Sequence, residues 1–437
     1  MAWNKLPFVI VIIATILPWM AAFFDAKWIT YVPLCLALLT YFVYETRKHS
    51  KVMSISYGFL FILFVISISV FWQLIQGIGI GSGGTIIILV LTFIYYKLFS
   101  STQFGIPSKY LIKQIHIIYM IHVIFILSEL FFRLAGGTDI IVSLVGNATE
   151  VAKYKMYNKA VFLRFIGFEN MTGLGGLLLG SQSASQVALF ALFIFAPFYK
   201  TNVFYKYSNI ANIWFVLAVI ALLASITMMA SIIAAIFLVI IFFYLPNSKY
   251  KNIKYQSAFI TILIIFFIPI RNIFFFNISN QMDYLTYFAS FYASIDNFIK
   301  LDLITKIFGL GRSAASLMTS TIRPFSGSIA DFGYGMLLNQ SGILLIGFAS
   351  FLLVNIFIKT QHSIRKIIKL NIRQDSWMWL ASINSLIALG WGLSIIHYTP
   401  ALEVGGRELF AFHLAVCLQA MKYMNREIAL GTRYPNG

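Results

Sequence analysis

The stretch 7-PFVIVIIATILPWMAAFF-24 contains no charged side chain over eighteen consecutive residues. A helix of about 20 such residues crosses the hydrocarbon core of a bilayer. Only three residues, 25–27, separate it from a second apolar run at 28–45. A cleaved signal peptide would not be followed at once by another run of this kind, so we expect residues 7–24 to form a true transmembrane helix.

The whole chain has the same character. Hydrophobic residues make up 60% and charged residues 11% of its 437 residues, and the mean hydropathy is +0.86. A soluble domain carries about 25% charged residues. The apolar runs are continuous rather than alternating, which favours helices over the strands of a barrel. Cys35 and Cys417 both lie inside apolar runs and indicate no disulfide framework.

These runs predict an all-α polytopic membrane protein with about 12 transmembrane helices in a single integral membrane domain, residues 1–437. Two connections are long, 134–173 and 276–334, and the others are short. The predicted spans are 7–24, 28–45, 54–75, 83–99, 110–133, 174–198, 208–228, 230–245, 256–275, 335–358, 376–396 and 408–424.

Lysine and arginine set the orientation, because they are enriched in short cytoplasmic loops. With both termini in the cytoplasm, most of the 32 basic residues fall on the cytoplasmic side, and only Lys27 and Arg407 lie in short outer loops. Both long loops are then extracytoplasmic. The net charge of +18 therefore reflects topology and anionic lipid rather than nucleic acid, since the basic residues do not gather on one face.

Several arginines on the outer side are not explained by this rule. Guanidinium groups bind phosphates through paired, charge-assisted hydrogen bonds, so arginines converging on an outer cavity would suit a lipid-linked diphosphate. Alternatively, each one reaches toward the interface or pairs with a nearby acid such as Glu129, Glu403 or Glu408. The outer arginines are Arg133, Arg164, Arg271, Arg312, Arg323 and Arg407.

Two segments resemble those of a known family. The first, 162-FLRFIGFENMTG-173, is similar to the Arg-x-x-Gly segment of O-antigen polymerases and ligases. The second comprises 308-FGLGR-312 and 331-DFGYGMLLNQSGI-343, and it resembles the end of that family's large periplasmic loop. Asp331 matches the family's Asp/His position, and Tyr334 matches its aromatic.

The resemblance implies a multi-span glycosyltransferase of the GT-C kind in the bacterial inner membrane. It would polymerise O-antigen or capsule repeats carried on undecaprenyl diphosphate, without a cofactor or a metal. A chain-length regulator and a flippase of the same pathway would be its partners. Arg164 and Asp331 are then the expected catalytic residues, and the expected binding residues for diphosphate and glycan are Arg271, Arg312, Arg323, Tyr334, His397 and Arg407.

The match has departures that keep alternatives open. Glu169-Asn170 stands where the family has a Pro-Asn turn, and Asp331-Phe332 stands where its ligases carry His-Asn. The second departure favours a polymerase, with a ligase or a flippase as alternatives. Asp331 precedes a predicted span, so it also suits a helix N-cap.

The second long loop also contains aromatic residues at helical spacing. They predict an amphipathic helix lying on the outer membrane interface, or a surface that stacks against sugars. These residues are Tyr284, Tyr287, Phe288, Phe291 and Tyr292.

The orientation predicts which positions an external reagent can reach. In intact cells, single cysteines at Asn158 and Ser294 should react with a membrane-impermeant maleimide, because both long loops face outward. Labelling that occurs only after permeabilisation would reverse the topology.

Overall fold

A computed structural model describes residues 3–23, 27–48, 57–75, 83–100, 107–135, 176–178, 181–195, 208–225, 233, 236, 292–311, 333–370, 375–395, 402 and 405–433. In these ranges all regular secondary structure is helical, and none of the described residues lies in a strand. The all-α prediction is confirmed there.

The helices follow the apolar runs closely. Predicted spans one to seven and ten to twelve coincide with helices, whereas spans eight and nine lie almost wholly outside the described residues. The second outer loop contains two further helices, α8 and α9. The helices are α1 Leu6–Phe23, α2 Val32–Lys48, α3 Tyr57–Ile75, α4 Gly83–Phe99, α5 Ser108–Leu134, α6 Ser181–Phe195, α7 Ser208–Ser225, α8 292–300, α9 Leu303–Phe308, α10 Gly333–Lys369, α11 Asp375–Ser394 and α12 Gly406–Arg433.

Three stretches are long and apolar enough to cross a membrane: Trp28–Arg47, Ser108–Phe132 and Tyr334–Lys369. Five shorter apolar helical stretches accompany them: Trp3–Pro18, Leu63–Ile75, Gly83–Phe99, Ser183–Phe195 and Ile213–Ser225. The described part of the chain is therefore a bundle of apolar helices suited to a membrane. The full count of twelve crossings stays a prediction.

Helix α12 occupies the centre of the bundle. It makes its most extensive contacts with α11 and α4, and it also packs on α10 and α1. Nearly every residue between Gly405 and Ala420 is buried. Because its neighbours, rather than lipid, surround α12, it can carry polar side chains that a lipid-facing helix could not. This position explains why α12 is absent from the apolar stretches above.

Polar side chains tie the central helices together at the end of α10 that is predicted to be cytoplasmic. Thr360 and the Cys417 thiol lie 3.1 Å apart, and the Ser363 hydroxyl donates to Asn425 at 2.8 Å. Both pairs join α10 to α12. Hydrogen bonds of this kind fix the rotation of one helix against another where lipid supplies no hydrophobic drive for association.

One labelling position chosen from sequence is wrong on structural grounds. Ser294 is fully buried, and its carbonyl accepts a hydrogen bond from Asn339. Asp302 in the same loop is exposed and is the better position for the external maleimide.

Candidate functional site

Helix α10 is broken near its N-terminal end. Gly342 has φ 71° and ψ 169°, values outside the helical region, within a helix that otherwise runs for 37 residues. Positive φ is open to glycine because it has no Cβ. The break separates an outer segment, 333–341, from the long remainder of α10. Gly342 itself belongs to 331–343, the second part of the second family-like segment.

The Gly-Leu-Gly turn at 309–311 packs directly on this break. Gly309 has φ 84°, and a Cβ on it would overlap the carbonyl of Gln340. A Cβ on Gly342 would overlap the carbonyl of Ile307. Two glycines are therefore required at one place for two separate reasons, a left-handed backbone and a backbone-to-backbone approach.

Hydrogen bonds join the turn to the broken helix. The N–H of Leu310 donates to the Asn339 carbonyl at 2.8 Å, and the N–H of Gly311 donates to the Gln340 carbonyl at 2.9 Å. The last carbonyls of a helical segment have no partner within that segment. At membrane depth such groups must be satisfied by protein, and the turn satisfies two of them.

A glutamine from α3 completes the arrangement. Gln73 is fully buried, and its Nε2 donates to the carbonyls of Phe308 at 3.1 Å and Gln340 at 3.0 Å. The ring centroids of Trp72 and Phe308 are 5.4 Å apart. One amide group thus joins three elements: α3, the end of α9 and the outer segment of α10.

The outer segment of α10 has further anchors of its own. Asn339, which is 1% exposed, donates to the carbonyls of Ser294 at 3.0 Å and Gly335 at 2.8 Å. Tyr334 donates through its hydroxyl to the carbonyl of Gly392, 3.2 Å away on α11. Binding of diphosphate or glycan by Tyr334 stays a prediction.

Arg407 takes part in a buried ion pair. Its Nε donates to the Glu408 carboxylate at 2.7 Å, and its Nη2 donates to the Thr30 carbonyl. The other oxygen of Glu408 accepts the Gly405 N–H at 2.7 Å, as a glutamate at the third position of a helix does for the N-cap residue. Pairing with Glu408, the alternative considered for this arginine, is the arrangement present. Diphosphate binding by Arg407 stays a prediction.

The other predicted site residues lie outside the described residues: Arg164, Arg271, Arg312, Arg323, Asp331 and His397. Two of them lie close in the sequence to residues that the structure describes. Gly311, which precedes Arg312, is bonded to Gln340, and Gly333 follows Asp331 by two residues at the start of α10. Gly333 and Gln340 are seven residues apart, or about 10 Å along a helix.

Sequence reasoning missed a buried hydrogen-bonded chain in the bundle centre. Asn384 donates through Nδ2 to the Leu380 carbonyl at 2.7 Å, so its Oδ1 faces His413. His413 then donates from Nδ1 at 2.6 Å and accepts the Tyr119 hydroxyl at Nε2, 2.7 Å away. The available signal was a histidine inside an apolar run, which is a functional candidate by default.

Sequence reasoning also missed Gln73 and Asn339. Each is an amide side chain within or at the end of an apolar run, and the same rule would have marked it as a candidate. Among the described residues, no three His, Cys, Asp or Glu side chains lie close enough together to hold a metal ion.

No protein-family model matches this chain, and no curated protein and no solved structure is similar to it.

We predict that Gly342→Ala lowers the free energy of unfolding by about 2–4 kcal/mol, since it combines backbone strain with a steric overlap. Gly347→Ala in the same helix is the matched control, because its Cβ would meet only the Ile343 side chain at 3.9 Å. Thermal unfolding of the purified protein in detergent measures both. Equal unfolding temperatures for the two variants would contradict the proposed role of the break.

We also predict that Arg407→Met destabilises the protein by about 3–5 kcal/mol, because it leaves the buried Glu408 carboxylate unpaired. Adding Glu408→Gln removes that charge while preserving an acceptor for the Gly405 N–H, and it should restore most of the loss. The same unfolding assay, applied as a double-mutant cycle, checks this. A double variant as unstable as the single variant would show that packing of the Arg407 stem matters and the ion pair does not.

Proposed function

We propose that this protein is a polymerase that joins oligosaccharide repeats carried on undecaprenyl diphosphate. The reaction would take place at the outer face of a bacterial inner membrane. The proposal rests on the resemblance of two short segments, the second of them in two parts, to O-antigen polymerases. Its structural support comes from one observation: the two parts of the second segment, far apart in the loop, pack on each other at the break in α10.

This contact matters because each of its two parts is close in the sequence to a candidate site residue. The turn at 309–311 leads directly into Arg312, and the outer segment of α10 begins two residues after Asp331. The described residues nearest to Arg312 and Asp331 in the sequence, Gly311 and Gly333, thereby belong to one well-anchored arrangement. This arrangement supports the proposal that Arg312 and Asp331 act together, because catalysis requires reacting groups in a defined geometry.

The proposed reaction is a glycosyl transfer. The bond between the anomeric carbon of the growing chain and the diphosphate oxygen breaks, and the electron pair leaves with undecaprenyl diphosphate. A hydroxyl oxygen on the non-reducing sugar of the incoming repeat forms the new bond to that carbon. Its proton passes to the carboxylate of Asp331, which acts as general base.

Arginines supply the electrostatic part of this proposal. Charge develops on the diphosphate as it leaves, and guanidinium groups held at that position stabilise it without a metal. Arg164, Arg271, Arg312 and Arg323 are the candidates. Arg407 is the weakest of the predicted set, because Glu408 and the Thr30 carbonyl already engage two of its donors.

A second candidate function is transport of the same lipid-linked sugar across the bilayer. The observation that favours it is the buried chain of Tyr119, His413 and Asn384 inside the helices. His122 adds to it, since it is 2% exposed and its Nε2 has no hydrogen-bond partner among the described residues. Polar groups at membrane depth often mark a pathway.

Loss of the gene separates these functions. A strain without a polymerase should display single repeats on its surface polysaccharide, whereas a strain without a flippase should display none. Gel analysis of the polysaccharide is the measurement. A strain that lacks the gene and still makes full-length chains would refute both proposals.

Returning variants to that strain tests the residues. Asp331→Asn should abolish polymerisation, because the amide cannot accept the proton. Arg164→Lys should impair it, because lysine does not reproduce bidentate phosphate binding. Both proteins should reach the membrane at normal abundance on immunoblots.

Asp302→Asn provides a matched control for Asp331→Asn. Asp302 caps α9 by accepting the Thr305 N–H at 2.9 Å, and asparagine caps about as well as aspartate. Full activity in both asparagine variants would leave Asp331 as a helix cap and move the search to His397 or Glu169.

A further inference from the structure

Helices α8 and α9 face the protein with their polar side. On α8, Ser294 is fully buried and its carbonyl bonds Asn339. After α9, Gly309 and Gly311 are buried against the break in α10. Backbone and small polar groups therefore make much of the contact with the rest of the protein, and the Phe308 ring at the end of α9 packs beside them on Trp72.

The opposite side of the same helices is apolar and open. Tyr292 is 72% exposed, Ile299 is 63% exposed and Leu303 is 72% exposed. Ile295, at 37%, completes a row with spacings of three, four and four residues. Within α8 such spacing places Tyr292, Ile295 and Ile299 on one face. Residues 301 and 302 are not helical, and Leu303 is the exposed first residue of α9.

The apolar face of these helices points in the opposite direction from that of an amphipathic helix on a soluble protein. There the apolar stripe faces the protein core and the polar side faces water. Here the apolar stripe faces away, in a loop predicted to be extracytoplasmic. Three large apolar side chains on one face of α8, followed by exposed Leu303 on α9, favour an apolar surrounding outside the protein.

The stripe is continuous with a surface expected to face lipid. Phe308 at the end of α9 packs on Trp72 of α3. On either side of Trp72 and Gln73, the outer end of α3 exposes Phe71 at 65% and Leu74 at 59%. These residues belong to a predicted transmembrane helix, so the apolar face of α8 and α9 extends the lipid-facing side of α3.

The net charge of α8 and α9 indicates whether electrostatic or apolar attraction would hold them on a membrane. Residues 292–308 contain two acids and two lysines, a net charge of zero. Lys300 pairs with Asp296 at 2.5 Å, which raises the pKa of the ammonium group. The Thr305 hydroxyl and N–H lower the pKa of Asp302. Both groups stay ionised at neutral pH, yet electrostatic attraction to anionic lipid is small, and apolar contact provides the affinity.

We propose that residues 292–308 form an in-plane element embedded in the outer leaflet of the membrane, with its apolar row in the acyl region and the Asp296–Lys300 pair among the headgroups. The occupant of the apolar face is the bilayer itself. The bonded turn at 309–311 is thereby held at the boundary between acyl chains and headgroups. The inference goes beyond the proposed function and holds whatever reaction the protein performs.

Nitroxide accessibility in the full-length protein tests this. Cys35 is exposed and Cys417 is buried, so both are first replaced by serine. Single cysteines at Ile299, Leu303 and Lys300 are then spin-labelled, and the protein is placed in phospholipid nanodiscs. Lys300 is the matched control, because it follows Ile299 directly and its side chain is 70% exposed.

The measured quantity is the ratio of the nitroxide's collision rate with oxygen to its collision rate with a water-soluble nickel chelate. This ratio should be severalfold higher at Ile299 and Leu303 than at Lys300. Equal ratios at all three positions would place the stripe in water and overturn the proposal. Exclusion of both reagents from Ile299 and Leu303 would show that protein covers the stripe, which overturns it as well. If either variant fails to elute as a folded species, Tyr292 offers another position on the same row.

Discussion

Inside a bilayer, a backbone carbonyl without a partner costs several kcal/mol, because no water is present to bond it. The break at Gly342 leaves carbonyls of α10 without a partner in their own helical segment. The turn at 309–311 and the amide of Gln73 satisfy two of them, at Asn339 and Gln340. The turn, α9 and the outer end of α3 therefore take their positions from this one requirement.

The same requirement links the fold to the chemistry proposed for it. A continuous helix would need no partner from the outer loop, and the loop could lie anywhere over the bundle. Because the helix is broken, the loop is bonded to it at a defined residue, next to Arg312. Asn339 and Tyr334 then fix the outer segment that follows Asp331 against α8 and α11.

Apolar runs predicted most helices of the described part within a few residues, since long runs have no alternative structure in lipid. The break in α10 was not predictable in this way. Its sequence, Asn-Gln-Ser-Gly-Ile, lies within a run that reads as one span, and the break depends on Gly309, more than thirty residues earlier. Pairing of Arg407 with Glu408 was foreseen only as an alternative, because adjacent charges can equally face different surroundings. An amide in an apolar run could have marked Gln73 as a candidate, but its partners, Phe308 and Gln340, lie more than 200 residues away and could not be predicted.

The break also has a consequence for how related sequences can differ in length. Each added residue in a continuous helix rotates everything beyond it by about 100°. In α10 the bonds of Asn339 and Tyr334 fix the rotation of the outer segment. The bonds of Thr360 and Ser363 to α12 fix the rotation of the inner part. A one-residue insertion at the break need not rotate the inner part against the outer segment, because Gly342 is already non-helical. The same insertion between Gly347 and Thr360 would turn one set of ties away from its partners. Length variation among homologues should therefore concentrate at the junction and avoid the helix interior.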